Sequence, residues 1–171
     1  LILILGAGGY EASRITAWQD PFSDPTDDGY QIIQSLYAIG SGGLFGLGLG
    51  NGRQKYLYLP EEHNDYIFSI ACEELGLAGA VGILILYSLL ILRGYWISMH
   101  IRDRFLSLTV AGITTLTALQ VFFNIGVVTN LLPSTGISLP FFSYGGTALL
   151  IQLGEMGIIL GASRQCSAGF L

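Results

Sequence analysis

Three long apolar runs constrain the fold of this chain more than any other feature of its sequence. Residues 75–92 and 106–128 contain no charged side chain, and residues 143–163 contain only Glu155. A helix needs about 20 predominantly apolar residues to cross the ~30 Å hydrocarbon core of a bilayer. The bilayer core holds no water to bind backbone N–H and C=O groups. A single spanning segment must therefore pair these groups internally, as an α-helix does. The sequence therefore predicts an all-α polytopic membrane protein.

The composition agrees with this prediction and excludes several other classes of protein. Hydrophobic residues make up 51% of the 171 residues and charged residues 11%, against roughly 25% charged residues in soluble domains. The net charge of −5 argues against a nucleic-acid partner, because phosphate binding needs a basic surface. The chain has only two cysteines, Cys72 and Cys166, which argues against a disulfide framework. Neither has ligand neighbours at metal spacing, which argues against a cysteine metal site. Membrane lipids are the expected surroundings.

The basic residues predict how the chain is oriented. Residues 1–9 begin with Leu-Ile-Leu-Ile-Leu and resemble the end of a truncated membrane helix, so we interpret the chain as the C-terminal fragment of a multi-helix bundle. Residues 93–105 carry three arginines and one aspartate, and the tail, residues 164–171, adds Arg164. The positive-inside rule places both segments in the cytoplasm.

The outer side then holds a large extracytoplasmic loop, residues 10–65, and a short one, residues 129–142. The large loop contains eight carboxylates and three basic side chains. Within it, residues 29–39 have the pattern of an amphipathic helix at the membrane interface. After it, residues 66–92 are expected to begin as an interfacial helix and continue across the bilayer.

A glycine-rich run lies in the large loop, with seven glycines in the thirteen positions 40–52. It fails the context test for a nucleotide site, because no predicted strand precedes it and no Lys-Ser/Thr follows. A backbone that turns tightly or approaches a neighbour closely is the favoured interpretation. A nest of N–H groups for an anion is the alternative.

The densest polar cluster closes the loop: Arg53-Gln-Lys55 and then Leu59-Pro-Glu-Glu-His-Asn-Asp65. A carboxylate at a membrane surface can act as a general base, and two cations can hold a diphosphate. Asp65 could instead cap a helix that begins at Tyr66. The spacing leaves both interpretations open.

Glu61 and His63 belong to the same cluster and are candidates for further contacts with a substrate. With Asp65 they could also bind a metal ion, but a lone histidine without a second at i+4 is a weak metal signal. The metal ligands, if any, are not identified by the sequence.

Five of the polar side chains in or next to the apolar runs are assigned a role. Glu73 and Glu74 are expected in the first turns of a helix, where carboxylates suit the helix dipole. Gln120 and Asn124 are expected to form hydrogen bonds between helices. Glu155 is a functional candidate by default, because a carboxylate within a span needs a partner or water.

Taken in order, these motifs resemble the SEDS family of bacterial cell-wall polymerases (shape, elongation, division and sporulation), which includes FtsW, RodA and SpoVE. The resemblance covers nearly the whole chain and is slightly stronger for the FtsW and SpoVE branch. It rests on the following segments: Asp20-Pro-Phe-Ser-Asp-Pro25, Gly46-Leu-Gly-Leu-Gly50, Leu59-Pro-Glu-Glu-His-Asn-Asp65, Glu73-Glu-Leu-Gly76, Asn124-Ile-Gly-Val-Val128 and Leu132-Pro-Ser-Thr-Gly136.

The resemblance implies a peptidoglycan glycosyltransferase in the bacterial cytoplasmic (inner) membrane. Such an enzyme polymerises lipid II at the outer face, releases undecaprenyl diphosphate, and works with a class B penicillin-binding protein in division, elongation or sporulation. It also implies a divalent cation, Mg²⁺ or Mn²⁺. Two other roles stay open: a flippase for the lipid-linked precursor, and a non-catalytic scaffold.

The resemblance assigns the catalytic aspartate of the family to Asp65, with Asn64 in place of the usual threonine. Asp65 would be the base for the acceptor sugar hydroxyl, in an extracytoplasmic active site. Arg53 and Lys55 are then candidates for holding the diphosphate, an inference from their charge, and Glu61 and His63 are candidates for further substrate contacts.

Overall fold

The computed structural model describes residues 9–22, 28–50, 52 and 65–168. Within these ranges the regular structure is entirely α-helical, which confirms the predicted fold class. Five helices follow one another: α1 (Gly9–Gln19), α2 (Asp28–Gly42), α3 (Ile67–His100), α4 (Arg104–Val128) and α5 (Gly146–Ala168).

The three long helices α3, α4 and α5 are each long and apolar enough to cross a membrane. Their outward surfaces are apolar, as lipid contact requires: Leu86 is 68% exposed, Leu108 71% and Leu150 72%. The predicted amphipathic helix at 29–39 is present as α2. The expectation of a truncated membrane helix at 1–9 lies almost wholly outside the described residues, since α1 begins at Gly9.

The connections between the spans are placed differently from the sequence prediction. Residues 93–105 were expected to form a loop, but α3 runs to His100, so only residues 101–103 connect it to α4. Arg93 does not end the helix, and its guanidinium lies 4.3 Å from the ring centre of Trp96, three residues further along α3. A cation over an aromatic face is stabilised at an interface. Likewise α5 continues into the predicted tail.

Helices α3 and α4 approach each other closely near this connection. A Cβ atom at Gly94 would lie 2.4 Å from Thr114 Oγ1, so only a glycine fits. The Ser98 hydroxyl donates to the Ser107 carbonyl at 2.9 Å, and the Ser107 hydroxyl donates to the Ser98 carbonyl at 2.8 Å. Small side chains and paired hydroxyls are typical of helix contacts in membranes.

At its other end α3 is interrupted at Gly76, where the backbone has φ +67° and ψ −169°. The glycine-rich turn after α2 pairs the backbone groups that the break leaves free. The four N–H to carbonyl bonds are Leu47 to Glu73, Gly48 to Glu74, Leu77 to Gly43 and Ala78 to Leu44, at 2.9–3.2 Å. Buried backbone groups need such partners.

The close approach expected of the glycine-rich run is confirmed. A Cβ at Gly46 would lie 2.1 Å from the Glu74 carbonyl oxygen, and one at Gly76 would lie 2.3 Å from Gly46 N. The dipole interpretation of Glu73 and Glu74 is wrong, because the first turn of α3 contains no acidic residue. Both carboxylates instead lie just before the break.

Candidate active site

Asp65 lies directly before α3, at the end of the helix opposite to the connection with α4. The N-cap position of α3 is Tyr66, whose side chain makes no capping hydrogen bond. Asp65 therefore lies one residue outside the position that the capping interpretation gave it. Its side chain is half-buried.

The backbone of Asp65 is fixed by a buried amide on α4. Asn124 Nδ2 donates to the Asp65 carbonyl oxygen at 2.8 Å. The same nitrogen donates to the Ile137 carbonyl oxygen at 2.9 Å. Asn124 is 1% exposed, so this contact is shielded from solvent. One side chain thus joins the residue before α3 to the loop after α4.

That loop, residues 129–145, lies against the Asp65 carboxylate. Gly136 has φ +68°, a conformation that glycine adopts readily and other residues avoid. A Cβ at Gly136 would lie 3.7 Å from Asp65 Oδ2. A side chain at this position would therefore come into van der Waals contact with the Asp65 carboxylate.

The loop itself is fixed from four helices, so its position next to Asp65 is well determined. Each of four bonds joins a helix side chain to a backbone atom of the loop or its end. They are Trp18 Nε1 to Asn130 O (3.1 Å), Ser35 Oγ to Val128 O (2.8 Å), the Tyr87 hydroxyl to Pro140 O, and Phe141 N to Gln152 Oε1 (2.8 Å). A half-buried carboxylate beside a rigid loop is an arrangement that can hold a hydroxyl group in one orientation.

The other predicted site residues, Arg53, Lys55, Glu61 and His63, lie outside the described residues. Asp65 is thus the one residue of the predicted site that lies among the described residues. Among the residues described, no group of three or more His, Cys, Asp or Glu side chains could hold a metal ion. The described donors therefore do not fit a divalent cation.

The polar residues of the spans have unequal roles. Asn124, expected to bond between helices, contacts two backbone carbonyls of the site instead. Gln120 makes no such contact with the part of the chain that the structure describes. Glu155 is half-buried on α5 and has no hydrogen bond or ion pair with the described part of the chain. The sequence did not identify Tyr87 or Gln152 as anchors of the loop. The one signal for such a role was a hydrogen-bonding side chain within an otherwise apolar span.

Together the fold and the site define a multi-pass α-helical membrane protein with a fixed carboxylate at the loop end of its spans. The chain belongs to the FtsW/RodA/SpoVE family, whose profile, described as cell cycle protein, matches residues 1–168. The resemblance seen in the sequence motifs is thereby confirmed.

Two curated relatives show the degree of similarity. Stage V sporulation protein E of Bacillus subtilis is 51% identical over 162 residues, which are 95% of this chain and 44% of the relative. The probable peptidoglycan glycosyltransferase FtsW of Geobacter metallireducens is 47% identical over 156 residues, 91% of this chain and 42% of the relative. The chain thus spans less than half the length of these relatives.

Two solved structures share the fold. A chain from a study of how a peptidoglycan synthase complex coordinates polymerization and crosslinking matches with a TM-score of 0.71 and 31% identity, over 91% of this chain and 42% of that one. The rod shape determining protein RodA of Thermus thermophilus matches with a TM-score of 0.59 and 35% identity, over 76% of this chain and 39% of that one.

Proposed function

We propose that the protein containing this chain is a peptidoglycan glycosyltransferase that polymerises lipid II, with Asp65 as its general base. The observation that carries this proposal is the fixed position of Asp65 between α3, Asn124 and the loop that contains Gly136. The family membership and a relative named as a probable peptidoglycan glycosyltransferase support the same reaction.

In the proposed reaction the Asp65 carboxylate accepts the proton of the acceptor sugar hydroxyl. The hydroxyl oxygen forms a bond to the anomeric carbon of the donor sugar, and the bond from that carbon to the diphosphate oxygen breaks. Undecaprenyl diphosphate leaves with the bonding electrons. A positioned base contributes about 10²- to 10⁴-fold to the rate of such a step.

The diphosphate needs positive charge, for which we propose Arg53 and Lys55, with Glu61 and His63 making further contacts to the sugars. A divalent cation, Mg²⁺ or Mn²⁺, is proposed from the family resemblance alone. Because the described donors do not fit one, no step of the reaction is assigned to it.

The site is proposed to face the outside of the bacterial cytoplasmic membrane. Asp65 precedes α3, and the connection that carries Arg102 and Arg104 follows α3 at its other end. Basic connections lie in the cytoplasm by the positive-inside rule, which supports an extracytoplasmic Asp65.

A class B penicillin-binding protein is the proposed partner. The similar chain from the synthase complex, in which polymerization and crosslinking are coordinated, supports a partner that crosslinks the strands.

The test is lipid II polymerisation by the full-length protein with its transpeptidase partner. Asp65→Asn is expected to lower the rate by about 100-fold or more, because an amide cannot act as a base. Glu155→Gln is the matched control, since it removes another carboxylate without touching the site, and it should polymerise at the wild-type rate.

Two results would contradict the proposal. Wild-type polymerisation by Asp65→Asn would remove the base assignment and favour a scaffold. A loss of precursor transport in Glu155→Gln, with no polymerisation by the wild type, would favour the flippase role.

A further inference from the structure

Asn124 is a buried amide with an unusual division of hydrogen bonds. Its nitrogen donates to two carbonyls, Asp65 O at 2.8 Å and Ile137 O at 2.9 Å. Its oxygen Oδ1 is buried and has no hydrogen-bond partner among the described residues. Buried polar atoms are nearly always paired, so an unpaired one indicates that the residue has a role other than stabilising the fold.

We propose that Asn124 is a positioning residue, which holds the Asp65 carboxylate in register with the loop backbone at Gly136. This inference rests on the proposed role of Asp65 as the base. Asn124 does not touch the reacting atoms in this account. It acts through the two carbonyls that it joins.

The donors of Asn124 must face the site, because both of its acceptors are carbonyl oxygens. Turning the amide over would place Oδ1 against two other oxygens and leave both carbonyls without a donor. Among side chains of this size, asparagine alone supplies two N–H donors from one atom. Leucine supplies none, and an ionised aspartate only accepts.

The loop has other anchors, which separates positioning from folding. Tyr87 binds the Pro140 carbonyl, Gln152 binds Phe141 N, and Trp18 binds the Asn130 carbonyl. Without Asn124 these bonds still hold the loop in place. Asp65 would lose its backbone hydrogen bond to α4, so we expect its carboxylate to shift relative to the Gly136 backbone.

A shift of this kind lowers the rate of the chemical step more than substrate binding. A displacement of about 1 Å at a reacting group can reduce a rate by about 10²-fold. The substrate's contacts with the rest of the protein are unchanged, so its KM should stay near the wild-type value. A purely structural role would instead lower the amount of folded protein.

The experiment measures kcat and KM for lipid II in the full-length protein with its partner, together with melting temperature and folded amount. The variants are Asn124→Leu and Asn124→Asp. Both should reduce kcat per folded molecule by about 10- to 100-fold, with KM changed by no more than about twofold. Gln120→Leu, one turn earlier on α4, is the matched control and should keep the wild-type kcat.

The proposal is overturned if both variants keep kcat per folded molecule within about threefold of wild type, or if KM rises while kcat is unchanged. Where Asn124→Leu does not fold, the isosteric Asn124→Asp decides by the same criteria. Should neither variant yield folded protein, Asn124 is a folding residue and the positioning role is rejected.

Asp65→Asn measured in parallel separates this proposal from the proposed function. If Asp65→Asn polymerises normally, the function assigned to the site is wrong. If Asp65→Asn is inactive while both Asn124 variants are normal, only the positioning role is wrong. If both proposals hold, adding Asn124→Leu to Asp65→Asn should lower the residual rate no further.

Discussion

The two ends of the α3–α4 helix pair are built in different ways. At the connected end, residues 101–103 join the helices, and Ser98 and Ser107 exchange hydrogen bonds across nine positions of sequence. Asp103 caps α4 by accepting from Phe105 N at 3.1 Å. These bonds are local in the sequence, although the Cys166 thiol of α5 also donates to the Ile97 carbonyl oxygen at 3.6 Å, across 69 positions.

At the loop end the contacts join parts of the chain that are far apart in sequence. Asn124 reaches Asp65 across 59 positions, and Ser35 reaches Val128 across 93. This end also contains the break at Gly76 and the buried, unpaired oxygen of Asn124. Functional sites are where proteins depart from ideal local structure.

The connected end therefore stabilises the helix pair, whereas the loop end fixes the backbone that carries a carboxylate. Substitutions at the connected end should therefore change stability and leave the activity per folded molecule alone. Substitutions at the loop end should change the activity. Where the residue has a positive φ, as Gly76 and Gly136 do, they should also lower the stability.

The largest effect is expected at the break in α3. Gly76→Ala places a side chain on a residue with φ +67°. Its Cβ would lie 2.3 Å from Gly46 N, which is closer than van der Waals contact allows. Strain and overpacking together should destabilise the protein by ~4 kcal/mol, measured as the folded fraction during thermal melting in detergent. Gly82→Ala, where a Cβ meets nothing within 4 Å, is the control and should melt at the wild-type temperature or slightly above.

A Gly76→Ala protein that melts like the Gly82→Ala control would mean that the break is not built into the fold. The break at Gly76 would then no longer distinguish the loop end from the connected end.

The second prediction concerns the serine pair at the connected end. The double variant Ser98→Ala/Ser107→Ala removes two hydrogen bonds and should destabilise the protein by about 2 kcal/mol, roughly 1 kcal/mol for each bond. The polymerisation rate per folded molecule should not change. A fall in that rate with unchanged stability would show that the connected end also influences the reaction.

The third and smallest effect is expected at the loop glycine. Gly136→Ala puts a non-glycine residue at φ +68°, which should destabilise the protein by about 1–2 kcal/mol. The added methyl group would lie 3.7 Å from Asp65 Oδ2, in contact with the proposed base. The polymerisation rate per folded molecule should therefore fall. Gly112→Ala in α4 is the control and should leave that rate unchanged.

The apolar spans could be predicted from the sequence because the bilayer itself demands their length and composition. Their ends were less predictable: the charge of Arg93 suggested a loop, but α3 continues to His100 and the Arg93 guanidinium lies over the Trp96 ring. The break at Gly76 had no local signal apart from the glycine. Its partner, the turn after α2, lies about thirty positions away in the sequence.

The site was partly predictable. Spacing alone left Asp65 between a base and a helix cap, and the resemblance to a family favoured the base. The polar character of Asn124 was visible in an apolar span, but its acceptors were not, because backbone carbonyls carry no sequence signal. The link from Asn124 to Asp65 and Ile137 exists only once the helices pack.

The most direct test compares the two aspartates that precede the two joined helices, Asp65 before α3 and Asp103 before α4. Each is replaced by asparagine in the full-length protein, and the lipid II polymerisation rate is divided by the amount of folded protein. Asparagine caps helices as well as aspartate does, so Asp103→Asn should keep the wild-type rate while Asp65→Asn loses about 100-fold or more. Equal rates for the two variants would contradict the assignment of the catalytic site to the loop end.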